Sequence, residues 1–281
     1  MTGRAFATPE GPVAVQGAPE ELIEAFRELA PDWPECPSDG AIGTVSVTTE
    51  AAGLRMTSTG YDTPDFLFEP GLGAGNGLAG CLIHTFVAAS RDWIALHAAA
   101  VEVEGELLVL AGDMMAGKST LTMALSALGG RIWCDDRLPV RQTADGDEGM
   151  ALGLRPKLRW PLPVSTPEAF RGHVAARRGP EEGAMRLIVP QTGEQAGFDA
   201  RLPVVRLILL DRRDGAGAPV LSAPPLGDAV RRLVPCAFAP HLGPAGLLAR
   251  LRSLVEGASC DLMTYEDTFD AAAMLTGKAW T

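Results

Sequence analysis

Apolar positions recur along this chain with two periods, and each change of period marks a new element. Leu22, Ile23, Phe26 and Leu29 share one stripe of a helix expected over residues 19–29, which Pro31 and Pro34 stop. Residues 44–49 and 54–59 alternate apolar and polar side chains, as short half-buried strands do, around a turn at Gly53. Residues 67–80 are glycine-rich and turn-like, and 78–89 read as a mostly apolar helix. His84 on that helix reads as a core or boundary residue. Residues 93–103 and 106–110 read as strands separated by Gly105. Leu121, Leu125 and Leu128 then stripe a helix that Gly129-Gly130 ends.

The second half reads less evenly. Residues 131–134 and 138–140 are short strands, and 144–149 an acidic hairpin tip. Residues 165–200 are polar and glycine-rich with weak periodicity, the signature of a lid, a binding loop or disorder. Residues 204–210 form a β-branched apolar strand, 215–225 a turn-rich linker, and 228–234 and 244–256 helices. A late strand at 260–265 precedes a closing helix at 267–275, with Asp267 as its N-cap. His241 carries no clear signal, and no internal repeat is visible. The pattern predicts an α/β protein with an N-terminal α+β subdomain over 1–92 and a larger domain over 93–281.

Composition narrows this. At 281 residues and 47% apolar content the chain can bury a sizeable core. No run of eighteen apolar residues and no basic-then-apolar leader appear, so neither a membrane helix nor a secretory signal is expected. The five cysteines are scattered, which fits reduced thiols in a cytoplasm. A net charge of −11 argues against nonspecific binding to nucleic acid or anionic lipid.

The chemistry centres on Gly112-Asp113-Met114-Met115-Ala116-Gly117-Lys118-Ser119-Thr120, between the strand at 106–110 and the helix after it. This is the phosphate-loop pattern in its proper context. Backbone N–H groups of such a loop wrap a phosphate, and the helix N-terminus adds its positive end. Lys118 reaches the outer phosphates, and the Ser119 hydroxyl can ligate Mg²⁺. Lysine is scarce here, occurring at 118, 157 and 278 alone, which makes a chance match improbable. Met115 falls where φ is expected to be positive, at a cost for a residue with a side chain.

Three further features flank the loop. Asp135-Asp136 ends the strand at 131–134; in an extended chain the two side chains point opposite ways, one suited to metal and one to a substrate hydroxyl. A solvated turn is the plainer account of the pair. His97 lies among alanines and, taken alone, reads as structural. Arg155, Lys157 and Arg159 form the densest basic run, suited to a carboxylate-bearing partner or to a strand edge guarded by proline.

Together, His97, the loop and Asp135-Asp136 resemble the catalytic half of the HPr kinase/phosphorylase family, and in particular its shorter relatives, some of which phosphorylate a serine of ribosomally made peptides. Lys118 follows His97 by twenty-one residues and precedes Asp135 by seventeen, the family's own intervals. The family's second signature, a Glu-Ile-Arg-Gly-like run, is absent, and Met-Met replaces its Ser-Gly in the loop. The resemblance implies a phosphoenolpyruvate-carboxykinase/HPr-kinase-like P-loop core. It also implies an ATP- and Mg²⁺-dependent kinase acting on a Ser or Thr hydroxyl of a peptide or small protein. In that scheme residues 112–120 bind nucleotide, Asp135 takes the hydroxyl proton, Ser119 and Asp136 hold metal, and His97 and Lys118 assist catalysis. Arg155, Arg159 or Arg206 shares the transition-state charge. A nucleotide-binding regulator without transfer and a small-metabolite kinase are the alternatives.

Overall fold

The computed structural model describes residues 4–59, 67–163 and 165–280, which form two compact units. The first comprises residues 1–95 and 238–242, the second 96–237 and 243–281.

In the first unit, β1 (Arg4–Phe6), β2 (Val13–Gln16), α1 (Glu20–Leu29), β3 (Glu35–Cys36), β4 (Gly43–Glu50), β5 (Gly53–Ser58) and β6 (Leu67–Phe68) precede α2 (Leu72–Ala89) and β7 (Trp93–Leu96). The sheet runs β3-β1-β2-β4-β5-β6, antiparallel except for the β2–β4 pair. The stripe Leu22, Ile23, Phe26 and Leu29 is buried as its spacing requires.

The glycine-rich segment is not a turn. α2 begins at Leu72 and takes those glycines inside it, because close packing needs them. A Cβ on Gly75 would stand 2.7 Å from the backbone C and O of Ala25 on α1. One on Gly77 would stand 2.6 Å from the Phe68 ring. By length and composition α2 could cross a membrane, unlike what the apolar runs suggested, but 72% of it is buried within the fold, as in a core helix. His84 stacks on Phe238, ring centroids 3.9 Å apart.

In the second unit, β8 (Ala98–Val103), β9 (Glu106–Ala111), α3 (Lys118–Ala127), β10 (Arg131–Cys134), β11 (Leu138–Thr143), β12 (Gly146–Met150) and β13 (Lys157–Arg159) are followed by α4 (Glu168–Ala175), β14 (Arg178–Glu182), β15 (Met185–Ile188), β16 (Arg201–Arg212), β17 (Val220–Ser222) and α5 (Leu226–Leu233). After β18 (Ala237–Phe238), which enters the first unit, come α6 (Pro244–Gly257), β19 (Ser259–Tyr265) and α7 (Thr268–Thr276). The central strand β16 pairs parallel with β9 and with β19; β8 and β10 extend the β9 side in antiparallel fashion. β12 pairs with the start of β16 and with β11. Leu108 and Leu110 of β9, Leu121 and Leu125 of α3, Phe170 and Val174 of α4, and Phe269 of α7 share one core.

Three expectations change here. Residues 165–200 are not a structureless lid: α4, β14 and β15 lie within them, and Phe170, Val174, Leu187 and Ile188 anchor them in the interior. Residues 146–150 are strand, which leaves Ala144-Asp145 as the hairpin tip. The strand expected over 93–103 is broken at His97, whose N–H donates to the Cys236 carbonyl at 2.6 Å.

Candidate active site

β9 is buried from Leu107 to Ala111, so both its faces are covered and its carboxyl end delivers Gly112 to a fixed point. A Cβ on Gly112 would stand 2.9 Å from Leu210 Cβ. The chain then turns, Ala116 N–H donating to the Asp113 carbonyl at 3.1 Å. Met115 (φ 69°) and Gly117 (φ 90°) both occupy the left-handed region, free for glycine and costly for methionine. The loop is held from behind: the Tyr265 hydroxyl donates to the Ala116 carbonyl, and Thr268 Oγ1 would meet a Cβ on Gly117 at 3.2 Å. Burial pushes the Tyr265 phenol up to about 12.

Lys118 opens α3 with only 7% of its surface exposed. Its Nζ donates to the carbonyls of Gly112 at 2.7 Å and Asp113 at 3.2 Å. Burial lowers its pKa, while Cys236, Asp136 and Asp113 act in the opposite direction. Ser119 and Thr120 are half-buried beside it. Met114 and Met115 project outward, 80% and 74% exposed. With Asp113, Ala116, Leu210, Asp211, Arg212 and Asp214 they line a cleft of about 450 Å³.

β10 ends in the two carboxylates, and the pleat sends them to opposite sides. Asp135 turns inward, 3% exposed, and its Oδ2 accepts the Lys157 backbone N–H at 2.8 Å. Burial raises its pKa. Asp136 turns outward. Its Oδ1 lies 3.0 Å from His97 Nδ1, and its Oδ2 lies 3.2 Å from Lys157 Nζ and 3.7 Å from the Arg137 guanidinium. Burial works against ionisation of Asp136, but the His97 hydrogen bond and the charges of Lys157 and Arg137 hold its carboxyl well below the usual range. His97 therefore meets Asp136, not Asp135.

Lys157 is engaged by Asp136, Arg155 lies ahead of β13, and Arg159 is exposed at its end. Arg206 faces Asp261 at 3.7 Å. Three contributors were missed in the sequence. Cys236 reaches the loop through the Gly112 backbone and acts on Lys118, yet nothing in its local sequence signals this. Asp211 and Arg212 line the cleft, and a signal for them existed: they follow the apolar run 207–210 at the carboxyl end of a strand parallel to β9, where α/β sheets place ligands. Among the described residues no cluster of three His, Cys, Asp or Glu forms a ready metal site. A divalent ion here would rest on one or two protein oxygens plus phosphate, the usual habit of Mg²⁺.

No protein-family model matches the chain, and neither does any curated protein. Among solved structures, the HPr(Ser) kinase/phosphatase from Coxiella burnetii is similar at 13% identity and a TM-score of 0.36, over 65% of this chain and 91% of that one.

Proposed function

We propose that the second unit is an ATP- and Mg²⁺-dependent kinase that phosphorylates a Ser or Thr hydroxyl of a peptide or small protein. The observation that carries this reading is the convergence of Lys118, heading α3 on a phosphate-loop backbone, with Asp136, which holds His97 at 3.0 Å. The residues fit a magnesium nucleotide. Gly112, Gly117 and the helix N-terminus supply amides for phosphate, and Lys118 already donates to loop carbonyls that phosphate oxygens would replace. Mg²⁺, when bound, would spread the phosphate charge, with Ser119 and Asp136 as the side chains to hold it.

The acceptor oxygen attacks the γ-phosphorus, the bond from that phosphorus to the β–γ bridging oxygen breaks, and ADP leaves. The hydroxyl proton passes to the His97–Asp136 pair, with Asp136 orienting His97 through Nδ1 and leaving Nε2 toward the acceptor. We assign the proton to this pair rather than to Asp135, whose carboxylate is buried and occupied by the Lys157 amide. Positioning and charge neutralisation supply most of the acceleration.

The test combines Mg-ATP binding with single-turnover transfer. Lys118→Ala should abolish the rise in thermal midpoint caused by Mg-ATP. His97→Ala should still bind Mg-ATP and lose about 10² to 10⁴ in transfer rate, the usual range for acid–base residues, and Asp136→Asn should lose as much in transfer and also bind Mg-ATP more weakly. Asp135→Asn should transfer within several-fold of wild type. An undiminished midpoint shift in the lysine variant would end the phosphate-loop reading. A dead Asp135→Asn beside an active Asp136→Asn would exchange the two roles. The exposed Met114 and Met115 favour a second reading, a nucleotide-binding regulator without transfer. That reading predicts Mg-ATP stabilisation with no γ-phosphate lost in any condition.

A further inference from the structure

β13 is the edge strand of its sheet, and its outer side faces the carboxylate pair, where Asp135 already takes the Lys157 amide. In its ladder with β15, Ile188 N–H donates to the Pro156 carbonyl at 2.9 Å and Trp160 N–H to the Ala184 carbonyl at 2.7 Å. Residues 156, 158 and 160 therefore direct their backbone groups toward β15, and by the alternation of an antiparallel ladder 157 and 159 direct theirs outward. The Lys157 amide confirms the direction, since it reaches Asp135 on that outer side. Among the described residues, β13 ends the three-stranded sheet β13-β15-β14, and no further strand pairs with it. Arg159 is exposed beyond Lys157, within two residues of the contact to Asp136.

We propose that the phosphate acceptor is an extended, acidic peptide that adds as a strand along the outer edge of β13 and so brings its hydroxyl to Asp136 and His97. This rests on the kinase reading and names its substrate class. Three observations select the occupant. An outward amide and carbonyl at residue 159 pair with an extended backbone, the mode by which peptides extend sheets. The edge ends in a cation, Arg159, in a chain whose net charge is −11, so acidic side chains are attracted here and repelled from most of the rest. The same strand carries Lys157, which holds Asp136, so a residue paired near Arg159 sits beside the proton acceptor.

A strand edge can be tested by removing one hydrogen bond. Proline is tolerated on an edge where its missing N–H faces out. Arg159→Pro thus deletes the outward amide and the charge, while Arg159→Ala deletes the charge alone. The probe is a fluorescently labelled synthetic peptide with Ser at its centre, valine alternating with Asp and Glu, compared with a copy N-methylated on alternate amides and a copy with Lys for the acids. Anisotropy should show binding of the acidic peptide, loss of about tenfold in affinity on N-methylation in one register only, and little binding of the lysine copy. Arg159→Ala should weaken the acidic peptide several-fold, and Arg159→Pro about tenfold more, with Mg-ATP stabilisation equal to wild type in both. Circular dichroism and the Mg-ATP midpoint report whether the proline variant is folded. Should it not fold, the N-methyl series on wild-type protein decides alone. Equal binding of N-methylated and plain peptides in both registers, equal loss in the two Arg159 variants, or no binding of the acidic peptide would each overturn the proposal. The kinase reading would survive any of these if Mg-ATP binding still depends on Lys118; it fails instead if that dependence is missing.

Discussion

Asp135 and Asp136 are chemically identical and adjacent, yet one backbone step separates a carboxylate tied to a backbone amide from one that faces the His97 and Lys157 side chains. Asp135 is buried and accepts the Lys157 N–H at 2.8 Å. Replacing it with Asn keeps an acceptor oxygen, whereas Ala leaves that amide without its partner. A buried donor stripped of its partner costs about 1–3 kcal/mol. Asp135→Ala is therefore expected to lower unfolding free energy by roughly that amount in urea, and Asp135→Asn by much less, because Asn also relieves the desolvation that raises the carboxyl pKa. Equal losses in the two variants would show that β13 is not held by this bond.

Among the elements, α1 and α2 show how one residue type carries opposite instructions. Gly75 has no room: a Cβ there meets the Ala25 carbonyl group at 2.7 Å and Phe26 N at 2.9 Å, backbone atoms that cannot rotate away. Gly227 at the start of α5 has open space around it. Alanine in a helix gains up to about 1 kcal/mol over glycine, and overpacking costs about 1–3 kcal/mol. Gly227→Ala should raise the thermal midpoint slightly and Gly75→Ala should lower it; a Gly75→Ala variant as stable as wild type would mean the helices can separate at no cost. The same pair explains what the sequence disclosed. Periodicity revealed α1, β4, β5, α3, β16 and α7, because in each the buried face follows a simple period. It lost the start of α2, where glycine is a packing device rather than a breaker. It also lost α4 and β15, whose few anchors, Phe170, Val174, Leu187 and Ile188, are diluted by polar neighbours. Local signals placed the loop at 112–117 between β9 and α3, and with it the positive φ of Met115. The meeting of His97 with Asp136, and of Lys157 with both carboxylates, depends on strands distant in sequence and was not legible.

At the scale of the whole molecule, the shifted groups set the pH range in which the fold is stable. On the acid side, burial lowers His173 and His241, and ion pairing lowers Asp136 and Glu194. A group whose folded pKa lies below its unfolded value gives stability that is present above the unfolded value and is lost as pH falls. The loss should begin near pH 6.5 with the histidines and steepen below about 4 with the carboxylates. Asp135, raised by burial, opposes this limb, since its ionised form is the costly one. On the alkaline side, burial raises the thiols of Cys134, Cys236 and Cys260, the last to about 11, and the Tyr265 phenol to about 12. Here the neutral form belongs to the fold, so stability is full below the unfolded values and falls as pH rises from about 9 toward 12. Lys118, lowered by burial, works the other way over part of that range. Urea unfolding at closely spaced pH should therefore trace a plateau between about pH 7 and 9 with a fall on each side. Asp136→Asn should flatten the limb below about pH 4 without touching the alkaline one. Tyr265→Phe should cost about 1–3 kcal/mol on the plateau, by stranding the Ala116 carbonyl, and should flatten the limb above pH 10. An alkaline limb unchanged in Tyr265→Phe would assign it to the thiols, and would release the loop at 112–117 from its clamp on β19.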